Sequence, residues 1–202
     1  MALDAKFLAK AKLRLRSLER AVAGLRQAET FADFQDEWYF FLVSFKTVYT
    51  ALEQASKATG PDQVWFGLKK SERKNDPLLR YLYQARDDAE HGLSEGLDLE
   101  PGSLAIGVNR EGASTHIHIE ELRLEDGVAH VKGFKGLDDK PVLIEHSAPK
   151  AVLRTVICRG PVSYHPPSEH LGKSLANPSP LNVAELGFSH LTELVREAAN
   201  RT

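Results

Sequence analysis

Cysteine is nearly missing from this chain: Cys158 is the only one in 202 residues. A single thiol closes no intramolecular disulfide and makes no CxxC pair, which excludes dithiol redox catalysis and a cysteine-based zinc site. Long apolar runs are missing too. Mean hydropathy is −0.32, and no stretch approaches the ~18 apolar residues of a membrane span, so a transmembrane protein is excluded. The opening Met1-Ala2-Leu3-Asp4-Ala5-Lys6 has no basic flank, uninterrupted apolar stretch or small-residue cleavage site. No secretory leader is therefore expected, and the expected compartment is the cytoplasm. There is no P-loop, no GxGxxG after a strand and no GxSxG elbow, which disfavours nucleotide hydrolysis, Rossmann cofactor use and the α/β-hydrolase fold. No cofactor is expected.

What is present suits one globular domain or two small ones, with 42% hydrophobic and 8% aromatic residues. Charge is balanced overall, at −2, but not along the chain. Residues 1–28 hold Lys6, Lys10, Lys12, Arg14, Arg16, Arg20 and Arg26 against only Asp4 and Glu19. That basic segment is either a footprint for phosphate or an acidic partner, or an ordinary solvated helix face.

Periodicity divides the chain into helical and extended parts. Leu8, Ala11, Leu15, Leu18, Val22 and Leu25 form one helical stripe. After Thr30, a suitable cap, Phe34, Trp38, Phe41, Phe45, Val48 and Leu52 form a second, and the two predict an antiparallel hairpin. Tyr39, Phe40, Leu42 and Tyr49 lie off the second stripe, which predicts cover from a third helix or a second subunit. Gly60-Pro61-Asp62 breaks the pattern, and a short helix over Val64–Leu68 is expected to run into a basic loop, Lys69–Lys74. Asp76 then caps a fourth helix with Pro77 in its first position, ending at Gly92.

From Ser94 the period changes to two. His116–Glu120 and Val128–Phe134 flank the hairpin signal Asp126-Gly127, with further strands at Val142–Ile144, Val152–Cys158 and Leu104–Val108. A proline-rich stretch without regular structure follows Gly160, and Asn182 is expected to cap a last helix that packs on the sheet or back on the helices. The expected fold is α+β: an antiparallel helical bundle over 1–95, a small antiparallel sheet over 96–160, and a connection with a C-terminal helix over 161–202.

The fourth helix carries Arg86-Asp87-Asp88-Ala89-Glu90-His91, an Arg followed by a polar residue and, four positions in between, a His. This segment resembles the signature helix of HEPN domains, a helical nucleotide-binding and ribonuclease family. The spacing recurs at Arg110–His116, Arg123–His130 and Arg159–His165, but only Arg86 and His91 fall at the end of a capped helix in fourth position. The resemblance covers residues 1–95 and implies an up-and-down bundle that dimerises to bring two such helices together. Some members of the family cut RNA without metal, and others bind or scaffold. It makes Arg86 and His91 the candidate catalytic pair, with Lys10, Arg14, Lys69 and Lys70 as candidate RNA contacts.

The chemistry is reasonable for these residue types. Cleavage through the RNA 2′-hydroxyl needs a proton carrier near neutral pKa, which His supplies, and Arg can clamp a phosphate oxygen. Helix capping or interface packing is the alternative role for His91, and Arg86 and Glu90 are spaced as an ordinary i,i+4 pair. His116 and His118, with Glu120 on the same strand face and His130 a candidate across the hairpin, have metal-ligand character but no identified third ligand, so no metal is expected. The expected partners are a second copy of the chain and RNA or a protein, with no membrane and no DNA specificity implied. The alternative function is a non-catalytic dimeric module that binds a ligand or protein.

Overall fold

The computed structural model describes residues 3–91, 96–108, 117–125, 128–136, 142–157, 162–176 and 178–201. The fold is α+β. Helices α1 (Ala5–Gln27), α2 (Phe31–Ser56), α3 (Gly60–Asn75) and α4 (Pro77–His91) come first. Strands β1 (Leu97–Glu100), β2 (Ser103–Val108), β3 (Ile117–Glu125), β4 (Val128–Gly136), β5 (Val142–Ser147) and β6 (Lys150–Leu153) follow. The short strands β7 (Val156–Ile157), β8 (Ser163–Tyr164), β9 (Glu169–His170) and β10 (Lys173–Ser174) lead to α5 (Pro180–Ala199).

The chain forms two compact units, Met1–Asp98 with Val152–Thr202, and Leu99–Ala151. In the first, α1 and α2 are the expected antiparallel hairpin: the Asp4 N–H at the head of α1 donates to the Ala55 carbonyl at the foot of α2, at 3.0 Å. Thr30 and Asp33 make a reciprocal capping box that fixes where α2 begins. Both predicted stripes face the core, where Leu8, Leu18 and Val22 meet Trp38, Phe41, Phe45 and Leu52.

Part of the off-stripe surface of α2 is covered by this same chain. Leu42 and Tyr49 are buried in the core that α3, α4 and α5 complete, and Phe40 alone of the four off-stripe residues is exposed. α5 thus returns to the helices. It crosses closely at Gly187, where a Cβ would stand 2.6 Å from Leu82 Cδ1 and 3.3 Å from Phe45 Cε2.

Three local expectations need correction. Lys69–Lys74 is not a loop but the second half of α3, which Thr59 caps and Pro61 opens. Helix formers such as Lys, Arg and Glu propagate a helix without any apolar stripe. The cap of α5 is Ser179, with Pro180 in the first turn, rather than Asn182. The proline-rich connection contains β8 and the β9–β10 hairpin.

In the second unit β3 pairs antiparallel with β4, and β2 with β5, as separate ladders. The Asp126-Gly127 turn lies outside the described residues, but Glu125 opposite Val128 fixes the register around it. The chain leaves and rejoins the helical unit through β1 and β6, which pair with each other. Beside them Gly96, at φ +70°, accepts the Arg154 N–H at 2.9 Å, and the Tyr81 hydroxyl donates to the Arg154 carbonyl at 2.7 Å. Glycine enters the left-handed region without the steric penalty of a Cβ.

Candidate functional site

Asp76 starts α4, its Oδ1 accepting the Leu79 N–H at 2.8 Å. Leu78, Leu79, Leu82 and Ala85 are buried and fix the helix's rotation. That rotation sets Arg86 and Asp87 beside α2. Arg86 Nη1 lies 3.2 Å from Asp87 Oδ1, and Lys46 Nζ from α2 reaches the same oxygen. Lys46 also sits 4.9 Å over the Tyr83 ring, whose other contact is the Arg73 guanidinium at 3.5 Å. Two cations therefore share one carboxylate here. The charge of Asp88, the next residue, adds to burial in raising the Tyr81 hydroxyl above its ordinary pKa. His91 is the last residue of α4, and its side chain lies outside the described residues.

The four candidate RNA contacts divide. Lys10 and Arg14 are exposed on α1, without an ion-pair partner among the described residues. Lys69 is held by Glu197 at 2.8 Å and Lys70 by Glu53 at 2.9 Å. In the second unit His116 and the His118 side chain lie outside the described residues. The β3–β4 register sets His118 opposite Lys135 and His130 opposite Arg123, so His130 is not the cross-strand neighbour of His118. Among the described residues no group of three His, Cys, Asp or Glu could hold a metal ion.

Comparison with protein-family models, curated proteins and solved structures finds no match to this chain. Function has to be argued from its own side chains.

One buried cluster had no signature in sequence. Asp76 Oδ1 lies 3.0 Å from His170 Nδ1, and Asp76 Oδ2 accepts the Leu171 N–H at 2.6 Å. The His170 ring packs edge-on against His190, with centroids 5.9 Å apart, and His190 Nε2 lies 3.1 Å from the Tyr49 hydroxyl. Glu72 approaches the same Nε2 at 3.8 Å. Burial tends to raise Asp76, but the N–H bonds from Leu171 and Leu79 and the contact with His170 outweigh it and hold the carboxyl below its ordinary range. Burial pushes His190 down to about 4, with the neighbouring His170 adding to the shift. Burial likewise raises the Tyr49 hydroxyl. Chemically this is a lock: the Asp76 backbone N–H closes α3 on the Glu72 carbonyl, while its carboxylate begins α4 and holds the β9–β10 turn, in which Leu171 takes φ +48°. A leucine in that region is strained, and the bond from its N–H to Asp76 offsets part of the cost.

Proposed function

We propose that the helical unit is a HEPN-like module that binds RNA and cuts it without metal, with Arg86 and His91 as the working pair. The observation that carries this reading is the convergence of Lys46 and Arg86 on Asp87. A lone Asp87 would repel a phosphate; flanked by two cations its charge is offset, about one turn before His91. Arg86 would hold a non-bridging phosphate oxygen, and His91 would move the proton. The 2′-oxygen attacks phosphorus, the P–O5′ bond breaks, and the 5′-oxygen departs with a proton, leaving a 2′,3′-cyclic phosphate. Five residues along a helix is about 140° of rotation, so one helix does not aim both side chains at one phosphate. A second copy of the chain, in this reading, supplies the complementary half.

Single-stranded RNA incubated with the protein in EDTA should yield 2′,3′-cyclic ends. His91→Ala should lower the rate ~10²–10⁴-fold, and Arg86→Ala should weaken both binding and turnover. Intact RNA after incubation with folded wild-type protein would reject the nuclease. The alternative, a non-catalytic dimeric module for a ligand or protein, draws its support from the net charge of −2, which is unlike a strong nucleic-acid binder.

A further inference from the structure

The cations of α1 differ from those of the other helices. On α2 to α5 and the tail after them, Lys46, Lys69, Lys70, Arg86, Arg196 and Arg201 have carboxylate partners and Arg73 and Arg80 lie over tyrosine rings, which leaves only Lys57 and Lys74 exposed with no ion-pair partner among the described residues. On α1 Arg26 is paired with Glu185, but Lys6, Lys10, Lys12, Arg14, Arg16 and Arg20 are exposed with no ion-pair partner among the described residues. At 100° per residue, Arg16, Arg20, Lys6 and Lys10 fall within an arc of about 120°, and Lys12 and Arg14 stand about 40° to either side. Four like-charged i,i+4 pairs result: Lys6–Lys10, Lys10–Arg14, Lys12–Arg16 and Arg16–Arg20. Each works against the helix. A face needed only for solvation would gain from interspersed acids, and Glu19 is the only one within this stretch.

We propose that this outer face of α1 is a docking strip for the phosphate backbone of a nucleic acid, gripped without reading bases. Six charges over the ~21 Å from Lys6 to Arg20 give about one per 4 Å, close to the 3.4 Å phosphate spacing along one duplex strand. The strip offers no aromatic ring for base stacking. Its one large apolar residue is Leu13, because the apolar stripe of α1 is spent on the core, so the helix has a single side chain and no apolar face to insert into a bilayer. The acidic balance of the remaining chain repels a polyanion elsewhere and confines attraction to the strip. The proposal shares its class of partner with the nuclease reading but depends on no residue of α4.

Fluorescence anisotropy of a labelled 20-base-pair RNA duplex in EDTA tests it. Binding should be clear at 50 mM salt, with a log–log salt slope of about −4 to −5, at ~0.9 per contacted phosphate. Arg16→Gln with Arg20→Gln should lower affinity at least ten-fold and make the slope about 2 shallower. Lys57→Gln with Arg196→Gln, which removes the same charge from α2's end and α5, should change neither. Equal losses in the two double variants, or no binding at 50 mM salt, would overturn the proposal. So would capture of phosphatidylserine vesicles under conditions where the duplex stays free. Binding that persists in His91→Ala while cleavage is absent would reject the nuclease and leave the strip intact.

Discussion

Two buried residues are the most informative at the scale of the single side chain. His190 is held neutral by burial, its pKa taken down to about 4 from an ordinary value near 6.5. The unfolded chain therefore binds a proton below about pH 6.5 that the folded chain refuses until about pH 4, and stability must fall as pH drops through that window. The loss approaches ~3 kcal/mol by the 1.36 kcal/mol carried per unit. Urea denaturation at pH 7.5, 6, 5 and 4.5 should follow that decline, and His190→Asn should flatten it. Asp76 acts in the opposite part of the scale, since a carboxyl held low stabilises above its ordinary value and loses that contribution only in stronger acid. Asp76→Ala removes a helix cap, worth ~1 kcal/mol, and strands the Leu171 N–H at ~1–3 kcal/mol. We expect about 2–4 kcal/mol in denaturant titration, with faster amide exchange across 169–174. Only half of this residue was legible beforehand. The pattern Asp76-Pro77 announces an N-cap, but its second oxygen serves a turn 95 residues away, and no local spacing signals that. His170 and His190 were silent for the same reason, being neighbours only after α5 has folded back.

Among the elements, periodic apolar stripes transmitted well and polar stretches did not. The α1 and α2 stripes emerged as core, whereas Lys69–Lys74 looked like a loop because nothing apolar marked its helix; its order comes from α3 continuity and from ion pairs to Glu53 and Glu197. The off-stripe residues of α2 were expected to need cover, and one of the two covers considered, a further helix, supplies it for Leu42 and Tyr49. Phe40 stays exposed and Tyr39 half-buried, so the second cover considered, another subunit, is neither required nor removed by this packing. Glycines on two helices make the packing testable. Gly187→Val should overpack the crossing of α5 with Leu82, Phe45 and Phe41, costing about 1–3 kcal/mol. Gly67→Ala, on exposed α3 with nothing within 4 Å of the new methyl, should add up to ~1 kcal/mol through helix propensity alone. Thermal unfolding of the two variants should move in opposite directions.

For the whole molecule, the change of period near residue 96 was visible in sequence, but not that the chain rejoins its first unit after residue 151. Paired strands β1 and β6 stand about 4.8 Å apart, so a short bridge spans them. Replacing Leu99–Ala151 with a four-residue Gly-Ser linker should leave the helical circular dichroism and a cooperative melt within a few degrees of the parent. Collapse of that melt would mean that the helical unit does not fold alone.

The return of α5 onto the helices also bears on the order of events in synthesis. α1 to α4 emerge from the ribosome first, yet the helix that seals Phe41, Phe45 and Tyr49 is the last to be made. At 5–20 residues per second the about one hundred residues between α4 and the end of α5 take roughly 5–20 s. Throughout that interval the nascent bundle leaves an aromatic seam open to solvent or to whatever holdase guards it, while the intervening unit, complete in sequence, is free to fold ahead of the older one.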